Sequence, residues 1–159
     1  MPLWAFLTKG VCMYLEYLGG ERLDSWVTLP NGRHQATDEI ITRFKGDDGL
    51  RYTFVIFPGF TCDGGSVPWA FQWFVPSWSK DNHELNIAYA LHDGIYATEC
   101  LNRRAGDDLL ETMLYVAGLS QLRASTAKWA VCNYGRSHYG KEHDTFEDGL
   151  FFKMTRYKE

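Results

Sequence analysis

Apolar and polar positions follow a strand-like pattern through roughly the first 60 residues and, after Pro76, a helical period to about residue 135. Segments 26–29, 39–44 and 50–57 are rich in β-branched and aromatic side chains, which suit a half-buried pleated surface. Strong turn signals separate them: Pro30-Asn31-Gly32, Asp47-Asp48-Gly49 and Pro58-Gly59. Together they predict an antiparallel ribbon or small sheet. After Pro76 the pattern changes. Asp81-Asn82-His83-Glu84 has the spacing of a capping box, and the helix it predicts runs to about residue 97. Its inward stripe carries Leu85, Ala88, His92, Ile95 and Tyr96. A second helix, from near Gly106, carries Leu110, Met113, Leu114 and Ala117; a third covers about 125–134 and stops at Gly135. Residues 150–157 predict one more strand. The expected fold class is α+β, strands first and helices later. One domain, 1–159, divides into a mainly β part (1–67), a mainly α part (68–135) and a tail (136–159).

Composition narrows the function classes. With 159 residues, 45% of them hydrophobic, the chain is long enough to bury a core. Its formal net charge of −4 is not the electrostatic footprint of a general nucleic-acid binder. No apolar run approaches the roughly 20 residues that span a bilayer, so no transmembrane segment is expected. The first ten residues hold one basic residue, Lys9, behind a short apolar stretch, a poor secretory signal peptide. Cys12, Cys62, Cys100 and Cys132 form no C-x-x-C pair. They permit two disulfides or none; reduced, mostly buried thiols in a cytoplasmic product are the expectation.

Three sequence features bear chemistry. The first is Asp63-Gly64-Gly65-Ser66-Val67-Pro68. Its glycine pair lets the backbone turn tightly and approach a ligand, and it is equally what a plain turn would use. The second is Leu91-His92-Asp93-Gly94-Ile95-Tyr96. His92 and Tyr96 are four apart and share a helix face. Asp93 is three residues from Tyr96 and four from Tyr89, within reach of both phenols. The third is Arg103-Arg104-Ala105-Gly106-Asp107-Asp108. Asp107 lies on the stripe of Leu110, Leu114 and Ala117, so it points inward. Two helices joined by a short link pack antiparallel, which lets His92 and Asp107 meet across the seam. A buried carboxylate needs a partner, and a facing imidazole held in one tautomer has its other nitrogen available as a base. Asp93, Asp63 and loop carbonyls offer the oxygen ligands that calcium prefers.

The order DGGSVP, LHDGIY and R-x-x-x-D resembles a family of uncharacterised proteins encoded by tailed phages and prophages. That family shows a DGxSxP motif, an HDxxY motif, and an Arg and an Asp in the next helix. The matching residues are Asp63, Gly64, Ser66 and Pro68; His92, Asp93 and Tyr96; then Arg103 and Asp107. The resemblance covers about residues 45–135 and implies a phage or prophage origin, with no activity attached. The HDxxY helix followed by an Asp-bearing helix also resembles secreted phospholipase A2. That second resemblance implies that His92 activates water, that Asp93 binds calcium with Gly-rich loop carbonyls, and that Tyr96 and Asp107 support the histidine. The chain departs from it in having no cysteine beside His92, and in placing its loop farther upstream.

Two classes of function follow as expectations. One is a calcium-dependent, phospholipase-like hydrolase acting on lipid or envelope esters. The other is a virion-associated component, of a tail or baseplate, or a phage accessory protein that keeps a hydrolase-like site. Its partners would be other virion proteins or a host envelope component, and its location the virion or the host cytoplasm. Trp69, Phe71, Trp73, Phe74 and Trp78 are five large rings within ten residues, suited either to docking or to a core beneath a loop. Size and charge also permit an inhibitor of a host defence system. His138, His143 and Asp144 are loosely spaced for a metal site, and a solvated loop explains them as well.

Overall fold

The computed structural model describes residues 13–65, 69–137, 139–140 and 150–158, with the side chain of Trp69 left aside. Its framework is the hairpin of β4 (Ile40–Gly46) and β5 (Leu50–Ile56), closed where Gly49 N–H meets the Gly46 carbonyl at 3.0 Å. The two strands pair Ile40 with Ile56 and Phe44 with Tyr52. Ile40, Thr42 and Phe44 alternate inward on one strand, and Tyr52, Phe54 and Ile56 on the other, the period expected of a sheet with one covered face. Strand β1 (Leu15–Glu21) adds to the β4 edge; β7 (Phe152–Lys158) adds to the β5 edge. The antiparallel order is β1-β4-β5-β7. A smaller sheet, in the order β2-β3-β6, joins Trp26–Thr28, His34–Ala36 and Thr61–Cys62.

The expected strands at 26–29, 39–44, 50–57 and 150–157 are present with ends moved by one or two residues. Strands β1, β3 and β6 were not legible. The pattern of β1 is broken by Gly19 and Gly20 and by a bulge between Tyr17 and Gly19. Strands β3 and β6 are three and two residues long, too short to show a period.

Helix α1 (His83–Thr98) starts at Asn82, whose side chain accepts from the Leu85 N–H. The cap is therefore Asn82 and not the Asp81/Glu84 box: the helix begins one residue later than the box requires. Helices α2 (Arg103–Val116) and α3 (Gln121–Tyr134) begin three and four residues before their expected starts. Asn102 and Ser120 cap them, ahead of first turns too polar to register as an apolar stripe. Gly135 ends α3 as expected.

Helix α1 is buried on nearly every side from Leu85 to Tyr96, not along one stripe. It lies against both the sheet and α2. Two glycines permit this. A Cβ on Gly94 would sit 2.3 Å from the Phe152 ring of β7, and one on Gly106 would sit 2.9 Å from Ile95 Cγ2. The first brings α1 onto the sheet; the second brings the α2 backbone onto α1. Phe44, Phe54, Phe60 and Phe152 fill the space between sheet and helix with Leu85, Leu91 and Ile95. Among the described residues no helix is long and apolar enough to cross a membrane. Cys62, Cys100 and Cys132 are free thiols; Cys62 is buried and the other two are half-buried.

Candidate functional site

The close crossing at Gly106 sets the geometry of the site. His92 of α1 and Asp107 of α2 meet with Nε2 3.0 Å from Oδ1. Tyr96, one turn beyond His92, donates its hydroxyl to the same oxygen at 2.5 Å, and the two rings lie 4.1 Å apart between centroids. The other oxygen, Oδ2, accepts from Cys132 Sγ of α3 at 3.3 Å and faces Arg103 Nη1 at 3.7 Å. Arg103 also ties down the Cys132 carbonyl at 3.0 Å. Asp107 is wholly buried, at 0% exposure, while a tenth of the His92 side-chain surface is accessible.

Burial alone would push the Asp107 carboxyl up. The hydrogen bonds from His92 and Tyr96, the His92 charge and the Cys132 bond outweigh it, and the carboxyl is held below its ordinary value. Asp107 is therefore ionised at neutral pH and can only accept. It follows that His92 Nε2 carries the proton toward Asp107; in the tautomer that this bond selects, Nδ1 holds the lone pair. Burial, the Asp107 bond and the Asp107 charge drive the Tyr96 phenol strongly upward, so it remains a donor. Burial followed by the Asp107 charge pushes the Cys132 thiol up to about 11, which also keeps it a donor.

Asp93 has the opposite surroundings. It is partly buried beside the 63–65 loop, and its carboxyl is raised well above its ordinary value. Burial is the main cause, followed by the charge of Asp63; a backbone bond from Asp63 and the Arg33 charge act the other way. The phenols expected on Asp93 go elsewhere. Tyr96 bonds Asp107, and Tyr89 donates to the Pro76 carbonyl. Each phenol finds an acceptor supplied by tertiary packing instead of its neighbour on the helix.

The glycine loop is a built turn. Asp63 Oδ1 accepts from the Gly65 N–H at 3.1 Å, and the Gly64 carbonyl accepts from the Trp78 N–H at 3.1 Å. Gly64 and Gly65 both have positive φ and lie against the His34 and Tyr89 rings. Trp78 stacks on His34 at 3.9 Å and 3° and meets Trp26 edge-on, so it serves packing. Trp73 is 80% exposed. Ser66, the side chain of Trp69, and the tail residues His138, His143 and Asp144 lie outside the described residues, as does Cys12. Among the described residues no group of three or more His, Cys, Asp or Glu is placed to hold a metal ion.

The structure thus brings His92, Tyr96 and Asp107 into one site and sets Asp93 and Asp63 together beside it. Sequence reasoning missed Cys132. It stands 25 residues after Asp107, and no local spacing links them. It also missed the contribution of His34 and Arg33 to the loop, which depends on the pairing of β3 with β6.

What these elements define is an α+β protein with a buried histidine–aspartate–tyrosine centre at a helix crossing. The chain belongs to a family described as proteins of unknown function, DUF1353, whose profile matches residues 39–131. That span runs from β4 into α3 and contains His92, Tyr96, Asp107, Arg103, Asp93 and Asp63, while Trp26, Arg33, His34 and Cys132 lie outside it. No curated protein and no solved structure matches the chain significantly.

Proposed function

We propose that this is a phage- or prophage-encoded protein, virion-associated or accessory, with a hydrolase-like general-base site centred on His92. One observation carries the catalytic part: the 3.0 Å bond from His92 Nε2 to an ionised Asp107. It fixes the tautomer in which Nδ1 can accept a proton. In ester hydrolysis Nδ1 would take a proton from water as the water oxygen attacks the carbonyl carbon. Asp107 would stabilise the imidazolium so formed, and the proton would pass to the departing alkoxide. Tyr96, Cys132 and Arg103 keep Asp107 in place. The accessible tenth of the His92 side chain supports contact with a reactant.

Asp93 and Asp63 are the residues that would hold a calcium ion. Burial raises Asp93 and repulsion from Asp63 adds to it; a divalent cation would relieve that repulsion and would polarise the ester carbonyl. The test is turnover of phospholipid vesicles and soluble esters, with and without calcium, by the parent and by His92→Ala. The expected loss in the variant is about 10²-fold or more. Equal rates for the two proteins overturn the catalytic reading. Mass spectrometry of purified particles tests the virion reading, and absence of the chain from them removes it.

The complete burial of Asp107 and its saturation with donors favour a second reading, a polar clamp fixing α1 to α2 and α3. Under it His92→Ala lowers stability and leaves no activity to lose.

A further inference from the structure

Helix α3 is packed the wrong way round for a helix that serves only its own fold. Its inward face is made of Ala124, Ala127 and Ala130, all buried. Its large apolar residues point out: Leu122 is 69% exposed, Trp129 52% and Tyr134 58%. Folding alone favours the reverse, because the large side chains gain most from leaving water. These residues are continuous with the aromatic loop that follows β6. Phe71 meets Trp129 edge-on at 5.8 Å, Trp129 meets Tyr134 at 6.1 Å, and Trp73 lies 5.3 Å from Phe74. The result is one aromatic face with Trp73 as its most exposed ring.

The charge of this face differs from that of the molecule. Segments 69–80 and 121–137 hold Lys80, Arg123, Lys128 and Arg136 and no acidic residue, in a chain of net charge −4. Lys128 is tied to Asp108 at 2.6 Å and Glu111 at 2.8 Å. Arg123 places its guanidinium carbon 5.3 Å from the Phe74 ring centre, on the face itself. Arg136 is exposed two residues after Tyr134.

We propose that this face docks on an anionic phospholipid surface. Large rings flanked by arginines suit the zone between lipid headgroups and acyl chains. An acidic protein approaches a negatively charged bilayer through a face of this sign. One hydrogen bond favours lipid over a protein partner. The Trp73 indole N–H already donates to the Ala70 carbonyl at 2.9 Å, so its ring can enter an apolar phase without stranding a donor. The same helix carries Cys132, which reaches Asp107. Docking would therefore set the candidate site near esters presented at a bilayer, and that extension rests on the hydrolase reading. Docking itself needs no catalysis.

The experiment is vesicle flotation at low salt, with phosphatidylcholine alone and with phosphatidylcholine containing phosphatidylglycerol. The parent is expected to bind the anionic vesicles about tenfold or more tightly than the neutral ones, with a blue shift of tryptophan emission. Trp73→Ala with Trp129→Ala should weaken that binding about tenfold or more, and Arg123→Glu with Arg136→Glu should remove the preference for anionic lipid. Thermal melts check each fold; if the double tryptophan variant melts early, Trp73→Ala alone carries the comparison. His92→Ala should bind as the parent does, so failure of hydrolysis and failure of docking are read separately. A parent that ignores anionic vesicles, or tryptophan variants that bind unchanged, overturns the proposal. So does self-association of the parent that the tryptophan variants abolish, which would assign the face to a protein.

Discussion

Asp107 and Asp93 flank the same histidine, one across a helix crossing and one beside it in the chain, and the protein treats their charges in opposite ways. Asp107 is the more deeply buried by surface area, yet its carboxyl is held below the ordinary value, because His92, Tyr96 and Cys132 donate to it and Arg103 faces it. Asp93 is raised, because burial acts on it first of all and a second acid, Asp63, adds to the effect. Burial raises both carboxyls; at Asp107 the donors reverse it, and at Asp93 a like charge adds to it. Environments that push two acids apart in this way divide tasks between them. Under the proposed catalytic reading Asp107 would steady an imidazolium, and Asp93 would hold a proton or share a cation.

The sharpest way to break this contrast is Asp107→Ala. Removing the acceptor leaves the His92 and Tyr96 donors buried without a partner, and about 3–5 kcal/mol of stability should be lost in urea denaturation at neutral pH. A loss under about 1 kcal/mol would place Asp107 outside the framework of the fold. The acid limb has a definite sign. The Asp107 pKa is below its ordinary 3.8, so its contribution is fully present above that value and fades as pH falls below it. The deficit of the variant should shrink in strong acid.

Asp93→Asn should act the other way. The folded protein holds that proton more tightly than the unfolded chain, so stability is lost as pH rises from 3.8 toward the raised pKa. The variant should melt a few degrees higher than the parent at pH 7, with the gain vanishing near pH 4. A lower melting temperature at pH 7 would mean that Asp93 is stabilised as an anion. Smaller still, Cys132→Ala should lose about 1 kcal/mol by removing one donor from Asp107, and Cys132→Ser should restore most of it. An unchanged melt for both would show that Oδ2 needs only Arg103. Last comes an ion pair at the border of the site. Lys128→Gln breaks the partly buried pairs with Asp108 and Glu111 and should cost about 1 kcal/mol, the Glu111 part of it reduced by added salt.

What was legible in the sequence was whatever a period records. Residues 39–57 alternate, and the helical stripes put His92 and Asp107 on facing sides of consecutive helices, so their meeting could be read from spacing. Periodicity also shows where a stripe ends but not where a polar first turn begins, hence the early starts of α2 and α3 at Asn102 and Ser120. Spacing names the neighbours of a side chain without choosing among acceptors. Tyr89 and Tyr96 both stand within a turn of Asp93, and both bond something else. Contacts made by third parties, such as Cys132 with Asp107 or Trp78 with His34, depend on how whole elements pack and leave no local trace.

The pairing of β7 with β5, and the Phe152 ring it sets against Gly94, carries a consequence for biosynthesis. The ribosome delivers that ring after all three helices have been made. Until it arrives, β5 has an open hydrogen-bonding edge and α1 lacks one wall of its groove. Such a nascent chain cannot lock its histidine helix in vectorial fashion, and in the interval its bare strand invites pairing with another copy.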